Sequence, residues 1–158
     1  SGLSAGIKAS FFREAVGSDD EFEKYKVYAK YFTPLTKSLV LGLHGDYQTL
    51  DGRAPFYQYP FVSMRGIPAM RYQGESVAIA ETEFRWNFTY RWSLLLFGGV
   101  GATDSVDFVA SSSDDTVYSR GVGFRYFIAR RFGAHAGIDI ARGPEDTAFY
   151  ITFGQAWY

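Results

Sequence analysis

The sequence has no cysteine and only two histidines in 158 residues. The first absence excludes a disulfide framework and any thiolate metal site. The second leaves too few imidazoles for a multi-histidine metal centre, so neither a metal nor another cofactor is expected. Formal net charge is −1, so there is no global basic field and no nucleic-acid partner is expected. Long apolar runs are also missing. A helical span needs about 20 mostly apolar residues, whereas the longest stretch here, Leu94 to Val100, is short and holds two glycines. The start is equally bare. Ser1 is followed by no charged-then-apolar leader pattern, which fits either a removed signal peptide or an excised domain.

What the chain does have is aromatic residues, 19% of the total with 15 Phe and 12 Tyr, and 17 glycines. Mean hydropathy is nonetheless only −0.13. Those two facts are reconciled if apolar and polar residues alternate, because a strand with one face in lipid and one in a polar interior averages to a soluble-like value.

Period-2 alternation runs through most of the sequence. Tyr25, Val27, Ala29 and Tyr31 oppose Lys24, Lys26, Tyr28 and Lys30. Leu39, Leu41, Leu43 and Tyr47 oppose His44, Asp46 and Gln48; Ala78, Ala80, Phe84, Trp86 and Phe88 oppose Glu81, Glu83, Arg85 and Asn87. The pattern returns in Val122 to Ile128, in Phe132 to Ile140 and in Phe149 to Trp157, and less cleanly in Leu3 to Phe12. Trp92 to Thr103 is apolar on both faces. This predicts about eight strands of roughly 10–15 residues, longer than the usual five or six of soluble strands and matched to the 9–11 of a tilted membrane strand.

The connections differ in kind. Thr33 to Lys37, Thr89 to Arg91 and Ala129 to Arg131 read as short turns, whereas Gly17 to Glu21, Asp51 to Gly74, Asp104 to Thr116 and Arg142 to Thr147 are longer or more polar. Short turns on one side and long loops on the other is the asymmetry of outer-membrane barrels. Aromatics flank the short turns, at Tyr31, Phe32, Phe88, Tyr90, Trp92, Tyr126, Phe127 and Phe132, as an interfacial girdle requires. The expected fold is therefore all-β: one domain over 1–158, an antiparallel meander forming a transmembrane β-barrel of about eight strands in the bacterial outer membrane, with the lipid bilayer as partner. A soluble β-sandwich or lipocalin-like barrel also alternates, but it accounts for neither the strand length nor the loop asymmetry.

The inward set is polar: Lys24, Lys26, Lys30, His44, Asp46, Glu81, Glu83, Arg85, Arg125, His135 and Asp139. Ion pairing across the interior is the expected role. Two other chemistries come from the same residues. His44 and Asp46 share a face, as a Ser-His-acid hydrolase would need, yet no serine sits at a nucleophile elbow, so no catalytic residue is assigned and the chain is read as not an enzyme, with a barrel-borne hydrolase as a minor alternative. Asp104, Asp107, Asp114 and Asp115 cluster, but no glycine is spaced as in a calcium loop.

The long loop at 52–74 is rich in aromatics (Phe56, Tyr57, Tyr59, Phe61, Tyr72) and prolines (Pro55, Pro60, Pro68), with Met64-Arg65-Gly66 at its centre. A loop of this length is usually functional or disordered, and its aromatic content argues against disorder. It is expected to fold into the barrel lumen and bring Arg65 to inward carboxylates.

At these residues the sequence resembles the bacterial surface antigen family, which includes the BamA-type outer-membrane insertases and the transporters of two-partner secretion. The resemblance rests on Phe61-Val62-Ser63-Met64-Arg65-Gly66-Ile67, on Ala80-Glu81-Thr82-Glu83-Phe84-Arg85, on Gly121-Val122-Gly123-Phe124-Arg125-Tyr126, and on the run from Phe149 to Trp157. It implies that the chain matches the C-terminal half of a larger family barrel. It implies too that Arg65 and Gly66 form a loop motif in the lumen, partnered by Glu81, Glu83 and Arg85, and that Phe149, Ile151, Phe153 and Trp157 form a C-terminal assembly signal read by the barrel-assembly machinery. The function implied is outer-membrane protein insertion or polypeptide translocation, with a client polypeptide pairing at the seam of first and last strands. The residues also allow a compact structural barrel or a membrane anchor for an upstream domain, and self-association of the eight strands. The sequence departs from the family pattern at Ile67, which stands in place of an aromatic, and at Gly99, which stands in place of an Asp on the strand after the Glu-x-Arg strand.

Overall fold

The structure is a computed structural model that describes residues 1–13, 21–104, 115–129 and 134–153. Eight strands follow one another: β1 Gly2–Phe12, β2 Phe22–Pro34, β3 Leu39–Gly52, β4 Ser76–Asn87, β5 Trp92–Thr103, β6 Asp115–Ala129, β7 Ala134–Arg142 and β8 Thr147–Phe153. They form a single antiparallel sheet in the order of the sequence, and among the described residues the one helical element is a 3-10 turn, Phe56–Gln58. The strands begin and end near the places where the alternation does, because the alternation is what lets each strand present one apolar and one polar face.

Two of the short turns are built alike. The Thr36 hydroxyl accepts from the backbone N–H groups of Ser38 and Leu39, at 3.3 and 3.1 Å. The Thr89 hydroxyl accepts from those of Arg91 and Trp92, at 3.4 and 3.1 Å. A side-chain oxygen that satisfies the turn's own donors fixes a reversal without help from elsewhere in the fold.

Pairing is in register from β1 to β6, and the one irregularity among the described residues is a shift between Phe127 and Ala129 against β7. Exposed apolar residues stand on the outward face of every strand, including Leu3, Ile7, Val27, Leu43, Phe84, Leu96, Val122, Ile138 and Ile151, with Arg120 and Arg142 also on that face. The inward residues are buried and often charged, with Asp46, Glu83, Arg125 and Asp139 each under a tenth exposed. The apolar core of a soluble protein is thus largely turned outside.

The barrel expected from the alternation is present as an open sheet. Among the described residues β1 pairs with β2 alone and β8 with β7 alone, so the sheet has two free edges. The inner face of the sheet is occupied. The segment at 53–75 lies against it and packs Val62, Met64 and Ile67 on Val77, Ile79 and Val117, with Tyr72 alongside. A second apolar cluster of Phe22, Leu50 and Tyr59, flanked by Phe12 and Ala54, holds the start of the segment against β1–β3. Burial pushes the Tyr59 phenol above its ordinary range, and the Glu75 carboxylate adds to the effect.

Candidate functional site

The segment at 53–75 has a defined shape because its backbone groups are paired. Gly74 N–H donates to Pro60 O at 3.1 Å and Val62 N–H to Tyr72 O at 2.9 Å, and Phe61 bridges Gln73, so the base is zipped. At the tip, Ile67 N–H donates to Met64 O at 3.1 Å. This closes a four-residue turn over Met64, Arg65, Gly66 and Ile67. The third position of this turn has positive φ, as in a type II turn, and Gly66 takes it at +85°. A Cβ there would also lie 3.1 Å from the backbone of Arg142 and Gly143.

The turn aims Arg65 at the inner face. Its Nη2 donates to Glu83 on β4 at 2.9 Å, and its Nη1 to Asp139 on β7 at 3.3 Å. The guanidinium carbon sits 3.5 Å from the ring centroid of Phe97 on β5, a stacking that a planar cation makes well. The Arg65 carbonyl accepts from the Ser119 hydroxyl on β6. The Gly66 N–H donates to the Tyr150 hydroxyl on β8 at 2.9 Å. Two adjacent residues thus bond to five consecutive strands. On a flat sheet the backbones of β4 and β7 would stand about 14 Å apart, three strand spacings. One guanidinium reaches both, so the sheet curls around the tip.

Asp139 is shared. Arg125 donates to it through both terminal nitrogens, Nη2 to Oδ2 at 2.8 Å, and both residues are almost wholly buried. Arg85 Nη2 lies 3.5 Å from Glu83 Oε1. Charge therefore alternates along Arg85, Glu83, Arg65, Asp139 and Arg125. Each carboxylate touches two arginines, which offsets the desolvation that a buried ion otherwise suffers. Small residues make the space. A Cβ on Gly123 would collide with the Asp139 carboxylate, and one on Gly137 would meet the Arg125 side chain at 2.5 Å.

The sequence-based site residues fall into three groups. Arg65, Gly66, Glu83 and Arg85 come together at the tip. Glu81 lies elsewhere, 2.9 Å from His44 Nδ1. Those two line a cleft of about 660 Å³ between the loop and β1–β4, together with Lys26, Lys30, Asp46 and Ser63. Asp46 takes Lys26 at 2.9 Å, so His44 and Asp46 each have a different partner. Phe149, Ile151 and Phe153 point outward from β8, each more than 70% exposed. Trp157 lies outside the described residues, as do Asp107 and Asp114 of the acidic cluster.

Asp139, Phe97, Ser119 and Tyr150 are the tip partners that the sequence reading did not assign to the site. The alternation did place Asp139 inward, but nothing local links it to residue 65. Gly99 and Gly101 make room for the loop. A Cβ on Gly99 would lie 2.8 Å from the Glu81 side chain and 2.9 Å from Met64 Sδ, and one on Gly101 would be 2.6 Å from Val62. These glycines form the trough in which the loop lies. No carboxylate fits at position 99, and the two acids that Arg65 meets stand on β4 and β7.

No family model matches this sequence, and no curated protein matches it.

Proposed function

We propose that the chain is a β-barrel domain of the bacterial outer membrane, of surface-antigen type, that serves the insertion or translocation of other polypeptides. The observation that carries the reading is the inverted distribution of side chains. Large apolar residues stand exposed on the outer face of all eight strands, while buried ion pairs occupy the inner face. In water such an outer face exceeds any patch a monomer normally exposes. In lipid it is the required one, and charges belong inside. Aromatic residues add support at both ends of the strands. Trp86, Phe88, Trp92, Phe124 and Tyr126 cluster by the short turns, and Phe11 packs edge-on against Tyr25 near the long loops. Rings at two levels fit the two membrane interfaces.

The polypeptide-handling role draws on two further features. The Arg-Gly tip clasped on the inner face is the arrangement that the family resemblance implies. The free edges of β1 and β8 offer unpaired backbone N–H and C=O groups, to which an incoming strand adds by main-chain hydrogen bonding. The breadth of the tip's contacts favours a second reading, a static anchoring barrel, because a loop bonded to five strands holds the sheet in one shape.

Reconstitution into vesicles decides between them. Photo-crosslinkers placed along Leu3–Phe11 and along Phe149–Phe153 should capture an unfolded outer-membrane strand peptide, and its protease-resistant insertion should rise over that in empty vesicles. An inserted chain that captures no client at either edge would leave the anchoring reading.

A further inference from the structure

We infer that the outer face of β6 and β7 carries a site for the phosphate of an anionic lipid headgroup, held between Arg120 and Arg142 at the membrane surface on the side of the long loops. The inference rests on the membrane reading above and on neither strand edge. It adds a lipid ligand to that reading.

The register of the last four strands carries the argument. Directly opposed residues share a face, so the outward residues of β5 to β8 line up in rows across the sheet. One row holds Leu94, Phe124, Ile138 and Ile151, and the next holds Leu96, Val122, Ile140 and Phe149. The row after that changes character, with Gly98, Arg120, Arg142 and Thr147. β7 ends there, at Arg142, and the polar turn 143–146 follows. Just beyond, Tyr118 stands 68% exposed on β6, a ring of the kind that sits at headgroup level. The two arginines thus lie where hydrocarbon gives way to headgroups, and where a lipid-facing arginine costs little.

Their arrangement is unfavourable by itself. Arg120 and Arg142 are direct cross-strand partners and both are exposed. Like charges directly opposite each other destabilise a sheet. Among the described residues no carboxylate forms a salt bridge with either arginine. Glu145 of the adjoining turn is bonded to Arg71 and Tyr72 instead. A cleft of about 330 Å³ opens beside the pair, lined by both arginines with Thr116, Tyr118 and Pro144, and no acid lines it. Gly98 leaves further room. A Cβ there would meet nothing nearer than Ser119 O at 3.5 Å, whereas one on Gly99 or Gly101 of the inner face would collide.

A phosphomonoester resolves the repulsion. It carries about −1.5 to −2 charge against two guanidinium groups, and the planar fork of each matches its oxygens. The acyl chains of the same lipid lie along the apolar rows beneath.

The test uses the chain folded into phosphatidylcholine vesicles that hold a minor share of phosphatidic acid, photoactivatable close to its headgroup. Insertion is scored separately, by resistance to carbonate extraction and to protease. Labelled peptides should map to 116–122 and 138–147, at least tenfold above labelling by the matching phosphatidylcholine probe. Arg120→Gln and Arg142→Gln should each lower the labelling roughly tenfold, the worth of one hydrogen bond to a charged group, without loss of insertion. Arg120→Lys should recover part of it, because it keeps the charge and loses the fork. Labelling spread evenly over the outer face, or unchanged when both arginines are replaced, overturns the inference. Competition by phosphatidylglycerol equal to that by unlabelled phosphatidic acid overturns it too, because surface charge alone then suffices. Displacement of the probe by inorganic phosphate at the same concentration overturns the lipid source in favour of a free ion. Chains that never enter the vesicles overturn the membrane reading and this site together.

Discussion

Arg65 and Asp139 stand 74 residues apart in the chain and meet at 3.3 Å, which ties the tip of the long loop to the far side of the sheet. Arg65 also holds Glu83, so a single side chain sets the distance between β4 and β7.

Replacing Arg65 with Ala should therefore release the loop and leave Glu83 with Arg85 alone. Removing one partner of a buried pair costs about 3–5 kcal/mol. The expected outcome is a clear fall in the denaturant midpoint of the folded protein in detergent, with faster proteolysis within 53–75. Arg65→Lys should recover only part of the loss, because an ammonium cannot span two carboxylates and stack on Phe97 together.

Gly99→Asp puts a carboxylate on the inner face of β5. The geometry predicts harm. The new side chain enters space held by Met64 and Glu81, with overpacking alone worth about 1–3 kcal/mol. The midpoint should fall, and Gly99→Ala should show a smaller drop of the same sign. An unaffected Gly99→Asp protein would mean that the loop does not lie in the β5 trough.

Met70 has a φ of 61°, a left-handed conformation that costs a side-chain-bearing residue about 1–2 kcal/mol. It closes a turn in which Arg71 N–H donates to Pro68 O at 3.3 Å. Met70→Gly should raise stability by up to about 1 kcal/mol, the gain being limited by the added freedom of glycine in the unfolded chain. Thermal or denaturant melts in detergent measure it.

Much of this fold can be read from the sequence, and the exceptions have a common cause. Alternation in Lys24 to Tyr31 and in Ala78 to Phe88 shows which residues face in, since a period of two is a local property. Trp92 to Thr103 breaks the alternation for a reason visible only in three dimensions. Leu95 and Phe97 face inward, where the long loop supplies Arg65 and an apolar cover, and Leu94 and Leu96 face outward. The loop motif and Glu83 are close enough in sequence to be read as a unit. Asp139 and Tyr150 are not, because their meeting with residues 65 and 66 depends on the curl of the whole sheet. Closure escapes the sequence for the same reason: it depends on pairing between the first strand and the last, and no local pattern encodes that.

The outer face offers a test with opposite outcomes in water and in lipid. Leu96 points outward from β5 and is half exposed. Leu96→Arg at a water-facing position should change stability little. Facing hydrocarbon, the same substitution should cost about 2–4 kcal/mol and should lower the yield of folding into vesicles. Tyr118→Arg, nearer the long loops, should cost less.

The central claim is that the apolar face of the sheet lies in lipid and the polar face does not. Spin labels introduced singly at residues 25 to 30 of β2 in vesicle-reconstituted protein test it most directly, by comparing collision with oxygen, which partitions into the bilayer, and with a water-soluble nickel complex. Oxygen contact should peak at 25, 27 and 29 and nickel contact at 26, 28 and 30. Nickel contact that is equal at all six positions, or highest at 25, 27 and 29, would contradict the account.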